Sequence, residues 1–218
     1  MTVTIIDYGS GNLLSVSRAL AHCGANCVVT GDPDAIATAS ALVLPGVGAF
    51  RDGMEGLASS GLIEPILTHA RAGRPLLGIC LGMQMLASSS EEFGDHHGLD
   101  LIPGRVRAIP IRAMSGVTRK TPFIGWARLH RPDGVDWTDS PLEPCTADDS
   151  IYLVHSFHLE PKHSKDLLAT YEFHGDPITA AVRHGNITGV QFHPEKSGKV
   201  GLEILKKFVA QVELAARP

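Results

Sequence analysis

Along the first eighty residues, short apolar runs alternate with amphipathic stretches, and small turn-forming residues separate them. "TVTIID" (2–7), "NCVVT" (26–30), "ALVLPG" (41–46) and "RPLLGIC" (74–80) are largely apolar, as strands covered on both faces are. Between them, "LSVSRALAHCG", "DPDAIATA" and "LIEPILTHARAG" place apolar residues at helical spacing. Asp32 followed by Pro33 reads as a helix cap and first helical residue. A segment rich in helix formers, "LGMQMLA", follows Cys80. This alternation predicts a parallel sheet with helices on both faces, whose functional groups collect at the carboxyl ends of the strands. The glycine-rich turns after Asp7, Leu44 and Cys80 fall at those ends.

From about residue 100 the period changes. "GRVRAIP", "YLVHSFHL", "LLATYEF" and the pair "ITAAVRH"–"ITGVQFH" around "GN" read as antiparallel strands and a hairpin. "RPDGVDWTDSPLEP" is a polar loop, and "GLEILKKFVAQVELAA" is an amphipathic helix with Leu202, Leu205, Phe208, Val209 and Val212 on one stripe. No repeat or composition break divides the 218 residues. The expected fold class is α/β: a mixed, mostly parallel central sheet with helices on both faces and an antiparallel C-terminal portion, in one domain over residues 1–218.

Charge narrows the partners. A net charge of −4 with 19% charged residues and no like-charge block argues against a nucleic-acid or anionic-membrane surface. No apolar stretch approaches the roughly 18 residues that span a bilayer. "MTVTIID" runs directly into a strand without a basic segment or signal-type core, so a cytoplasmic location is expected. Four scattered cysteines do not make a disulfide scaffold. The pairs His96–His97 and His155–His158 lack the spaced ligand sets of a structural zinc site, so no metal or other cofactor is expected.

The candidate chemistry begins at Gly78-Ile79-Cys80-Leu81-Gly82, a G-x-C-x-G pattern between a strand and a helix. A nucleophile on so tight a turn has strained backbone angles, and side chains at the flanking positions would collide with what packs beside them. The helix N-terminus favours thiolate over thiol, and the Leu81 N–H points where an oxyanion would form. A base is supplied by "GVQFHPEKS". In extended chain, Glu195 lies on the same face as His193, where it can orient the imidazole, and Pro194 stiffens the link.

"GICLGMQ" with a distant "FHPE" resembles the class I (triad) glutamine amidotransferases. "IDYGSGNLLSV", "LPGVGAF", "YLVHSFH" and "GVQFHPEKS" are similar, more narrowly, to the glutaminase subunits of imidazole glycerol phosphate synthases, and the likeness runs along nearly the whole chain. The resemblance implies a glutaminase in which Cys80 attacks the amide carbon of L-glutamine, His193 protonates the departing ammonia, and Glu195 holds the ring. It places the oxyanion hole at Leu81 and near Val47 or Gly48, and substrate contacts at Gln84, His155 and Ser156. It also implies a cyclase subunit, partnered as a heterodimer, that receives the ammonia in histidine biosynthesis, with Lys196 and Trp126 at the interface. Where that family carries Pro-His-Met-Gly-Trp-Asn, this chain has "PFIGWA". Phe123 and Ala127 replace two polar residues, and this leaves open a paralogue that feeds another synthase. A cysteine hydrolase of the same fold, such as a peptidase or γ-glutamyl hydrolase, is the other enzymatic alternative, and a regulatory domain without activity is the non-enzymatic one.

Overall fold

The computed structural model describes residues 2–215. In chain order the elements are β1 (Thr2–Ile6), α1 (Leu13–His22), β2 (Asn26–Thr30), α2 (Pro33–Thr38), β3 (Leu42–Gly46), α3 (Phe50–Ser59), α4 (Ile63–Arg71) and β4 (Leu76–Cys80). Then follow α5 (Leu81–Met85), β5 (Ala87–Ser90), β6 (His96–His97), β7 (Ile102–Ala108), β8 (Phe123–Arg128), β9 (Ser150–His155) and β10 (Phe157–Pro161). The chain closes with β11 (Leu167–Phe173), β12 (Asp176–His184), β13 (Ile187–Val190) and α6 (Gly198–Ala215).

Seven strands form the central sheet in the order β11-β12-β13-β4-β3-β1-β2. The five from β13 to β2 run parallel; β11 and β12 are antiparallel, so the sheet is mixed and mostly parallel, as the strand patterns predict. Period-2 alternation sorts its side chains into two cores. Val3, Ile5, Val43, Leu77 and Ile79 face α1 and α6, whereas Ile6, Leu42, Leu44 and Leu76 face α2, α3 and α4. A four-stranded sheet, β10-β7-β5-β6, and a β8–β9 hairpin complete the molecule. The Asp32 carboxylate accepts from the Asp34 and Ala35 amides, which starts α2 as expected. Among the described residues no helix is long and apolar enough to cross a membrane.

α3, β5, β6 and β8 are elements the sequence reading did not name. Three of the stretches it did name differ in the structure for local reasons. The helix after Cys80 stops at Met85, because the chain turns at once into β5. "YLVHSFHL" is not one strand: it breaks at Ser156, whose carbonyl accepts from the Ile109 amide, so β9 and β10 enter different sheets. The last strand ends at Val190, and residues 194–196 form a single 3₁₀ turn with His193 as its cap.

Candidate active site

Strand β4 delivers Cys80 to the carboxyl edge of the sheet and ends there. Cys80 has φ 56° and ψ −112°, a left-handed conformation that L-residues rarely adopt. The strain is sustained because the flanking glycines admit the close packing around it. A Cβ on Gly82 would lie 1.8 Å from the Leu44 carbonyl oxygen, and one on Gly78 would lie 2.9 Å from the Gly82 backbone. The spacing G-x-C-x-G is thus a steric requirement of the elbow.

Strand β13 runs parallel beside β4, with Val190 opposite Ile79, so its carboxyl end reaches the same edge. Three residues later His193 is buried, 2% exposed, with its amide donating to the Tyr152 carbonyl at 3.0 Å. The His193 Nδ1 lies 2.9 Å from Glu195 Oε1, and the ring lines the same cavity as the Cys80 sulfur. Glu195 reaches its partner through the 3₁₀ turn and not through extended backbone, so the period-2 argument for the pair is corrected while the pairing stands. The Lys196 amide bonded to the His193 carbonyl closes that turn, and Pro194 sits at its first position.

Burial works against a charged His193. The hydrogen bonds to Cys80 and Glu195, and the negative charge of both, outweigh it and raise the imidazole to about 9. At neutral pH the ring is therefore an imidazolium, with the Glu195 carboxylate against its Nδ1 and the Cys80 sulfur in the same cavity. α5 is only five residues long, so the charged ring of His193 is the nearby cation toward the sulfur. An unfolded imidazole releases its proton near 6.5, whereas the native one holds it to about 9. That proton's contribution to stability is complete below pH 6.5, shrinks as pH rises, and is gone above about 9. Urea titrations should show the fold losing on the order of 2 to 3 kcal/mol across this window. His193→Gln should flatten the loss, and an equally steep slope in that variant would exclude His193 as its source.

A cavity of about 270 Å³ opens over the sulfur, lined by Val47, Gly48, Cys80, Leu81, Gln84, Glu92, Pro122, Val154, His155, Ser156, Phe157 and His193. Seven of the residues singled out from the sequence meet here besides Cys80 and His193 counted among the triad: Val47, Gly48, Leu81, Gln84, His155 and Ser156 line it, and Glu195 stands behind His193. Gly48 has φ +99°, and the Ser10 hydroxyl donates to the Val47 carbonyl at 3.1 Å, which fixes that peptide. His155 is neutral, because burial lowers it to about 4. Its Nδ1 donates to the Phe157 carbonyl at 2.8 Å and its Nε2 accepts from the Tyr171 hydroxyl at 2.9 Å. With both nitrogens occupied, His155 shapes the wall and leaves no ring nitrogen for a substrate. Gln84 likewise spends both amide hydrogens, on the Phe157 carbonyl (2.9 Å) and on Gln191 Oε1 (3.1 Å), so its own oxygen is what remains.

A family model described as "Glutamine amidotransferase class-I" matches residues 4–212. The chain belongs to that family. It is 48% identical over 209 residues to "Imidazole glycerol phosphate synthase subunit HisH 1" of Legionella pneumophila (strain Paris), covering 95% of this chain and 98% of the relative. The corresponding HisH subunit of Methanothermobacter thermautotrophicus is 46% identical over 207 residues, covering 95% and 97%. Among solved structures, PurLQS from Thermotoga maritima superposes with a TM-score of 0.69 at 19% identity, covering 99% of both chains. A glutamine amidotransferase from the same organism gives 0.66 at 16% identity, covering 98% of both. These structural likenesses establish the amidotransferase fold.

Two site residues of this amidotransferase escaped the sequence reading. Glu92 contributes the one acidic side chain that lines the cavity, and its Oε2 accepts from the Phe50 amide at 2.7 Å. Nothing in "SSSEEFG" marks it. Gln191 is fully buried between Gln84 and Cys80. Its signal was legible: a lone amide inside the apolar run "ITGVQF". Trp126 (56% exposed) and Lys196 stand outside the cavity on the surface, and Trp126 stacks edge-on against Tyr152 at 5.9 Å. The replacements in "PFIGWA" prove to face inward. β8 alternates, so Ile124, Trp126 and Arg128 point out while Phe123 and Ala127 pack on the core. Phe123 meets Tyr171 at 5.1 Å and Phe173 at 4.9 Å, an aromatic cluster whose one hydroxyl, on Tyr171, is already bonded to His155. The two departures therefore change internal packing and leave the outward face of β8 intact.

Proposed function

We propose that the chain is the glutaminase subunit of an imidazole glycerol phosphate synthase, hydrolysing L-glutamine through Cys80, His193 and Glu195. The observation that carries this reading is the buried His193 ring, bonded to the Glu195 carboxylate, lining one small cavity with the strained Cys80. The Cys80 thiolate attacks the side-chain amide carbon, and the oxyanion is met by the Leu81 N–H and one from the Val47–Gly48 segment. The imidazolium gives its proton to nitrogen as the C–N bond breaks, releasing ammonia and leaving a glutamyl thioester. Neutral His193 then takes a proton from water, which hydrolyses the thioester to glutamate and restores the ion pair. Glu195 orients the ring and balances its charge. The free Oε1 of Glu92 suits the α-ammonium of an amino-acid substrate, and the Gln84 oxygen and Ser156 lie along the same wall.

Ammonia released into water at neutral pH becomes ammonium and is no longer nucleophilic, so the reaction calls for an acceptor enzyme docked at this edge. The relatives that are 46–48% identical over nearly the whole chain support a cyclase subunit as that partner. Exposed Trp126 and Lys196, beside the His-Pro-Glu turn, support the place where it docks. The test is release of glutamate from free L-glutamine, with and without a histidine-pathway cyclase and its ligand. Hydrolysis that rises with the cyclase supports the reading, and a chain that cleaves peptides or γ-glutamyl conjugates but not glutamine overturns it. Trp126→Ala should lower cyclase affinity about tenfold or more in a titration, while the melting temperature of the free chain stays nearly constant.

A further inference from the structure

The sulfur of Cys80 has a second polar neighbour that the triad chemistry does not use. Gln191 follows the last residue of β13, so it stands beside Cys80 one step beyond the Val190–Ile79 pair. It is 0% exposed, and its backbone amide donates to the Ala180 carbonyl at 2.8 Å. Its side chain is held at both ends. Oε1 accepts from Gln84 Nε2 at 3.1 Å, and Nε2 lies 3.8 Å from Cys80 Sγ, within hydrogen-bonding range for sulfur. Gln84 is in turn anchored to the Phe157 carbonyl, which also accepts from His155, and His155 is backed by Tyr171. This relay decides which end of the Gln191 amide faces the sulfur. The donor end does.

We propose that Gln191 is a catalytic residue: its amide donates a hydrogen bond to the reacting sulfur and, with Gln84 locking its orientation, holds negative charge there. The role presupposes Cys80 as the attacking atom. In the first half-reaction a sulfur electron pair forms the S–C bond, the C–N bond breaks, and the His193 proton goes to nitrogen. In the second, water's oxygen bonds to carbon, its proton goes to His193, the S–C bond breaks, and the electron pair returns to sulfur. The sulfur is anionic at the start and at the end, so a fixed donor stabilises the resting thiolate and eases its departure from the thioester. An amide is suited to this because it carries no proton that pH can remove, and it completes the satisfaction of a buried polar group.

The groups facing Cys80 come from several elements: His193 and, behind it, Glu195 from the 3₁₀ turn, Tyr8 from the end of β1, Glu92 after β5, and His155 from β9. Tyr8 is pushed up to about 12, chiefly by burial, and His155 is neutral, so neither changes charge near neutral pH. The measurement is the pH dependence of Cys80 alkylation by iodoacetamide in the free full-length chain, read by mass mapping of the Cys80 peptide. Gln191→Met keeps side-chain length and removes the donor; the midpoint should rise by about 0.5 to 1 pH unit. Gln191→Glu keeps an acceptor for Gln84 and places a carboxylate beside the sulfur, and the rise should be larger. His193→Ala, run in parallel, reports the ion pair itself. Unchanged midpoints in both Gln191 variants, with a shifted His193→Ala, overturn the role of Gln191 alone. No shift in any of the three removes the nucleophile pair as well. Thermal melting establishes that each variant is folded.

Discussion

Glutamine hydrolysis should fall at least about 10⁴-fold when Cys80 is replaced by alanine, with the fold retained. On the proposed mechanism the site groups act on the sulfur or on what it binds. Glu195 orients His193 beside it, Gln191 donates to it, and the Leu81 N–H serves an oxyanion that forms only after attack. Removing the sulfur therefore leaves binding intact and chemistry without an attacking atom. The exchange is small in volume, and the strained φ of 56° is tolerated no worse by alanine than by cysteine. With the proposed cyclase partner the same substitution should abolish product formation from glutamine yet spare the reaction supplied with ammonium salts, because that proposal puts the acceptor site on the other subunit. Loss of both activities would mean that the variant disturbs the cyclase, and the separation of roles drawn here would be wrong.

The second large effect is structural. Gly82→Ala should destabilise the protein by more than about 4 kcal/mol, enough to lower its melting temperature by roughly 10 °C or more. The added methyl would meet the Leu44 carbonyl oxygen at 1.8 Å, with the carbonyl carbon at 2.8 Å. That carbonyl belongs to β3, which is paired in register with β4 on one side and with β1 on the other, so neither strand can yield without breaking ladder bonds. Relief would have to come from shifting α5 outward, which carries Cys80 and Leu81 with it. Activity should consequently fall further than stability alone dictates at temperatures where the variant remains folded. A variant with wild-type melting and turnover would show that the elbow does not approach β3 so closely.

These two effects rest on features that the sequence displays openly. Both glycines of the elbow stand where the steric argument needs them, and apolar strands alternating with helices lead to a mixed sheet whose carboxyl edge carries the site. Glu195 was legible as the partner of His193, but through the wrong geometry: period-2 reasoning assumes a strand, and Pro194 instead begins a 3₁₀ turn. "YLVHSFHL" looked continuous because a change of sheet at Ser156 leaves no mark on hydrophobic pattern. Phe123 and Ala127 are a related case. "PFIGWA" is apolar throughout, so the sequence does not show which face each residue takes. The alternating exposure of β8 in the structure places the replacements on its core side, away from the exposed face. Glu92 could not have been found, since its place at the cavity depends on a long-range contact, its carboxylate accepting from the Phe50 amide at the start of α3.

The central claim is that the sulfur of Cys80 carries the glutamyl group between amide and water. It is tested most directly by mixing the protein with glutamine and its cyclase partner, quenching in acid during turnover, and mapping the peptides by mass. The expected result is a glutamyl group on the peptide containing Cys80, labile to hydroxylamine as a thioester is, and missing when Cys80 is alanine. Glutamate formed at full rate with no adduct on that peptide, or with the adduct on another residue, would contradict it.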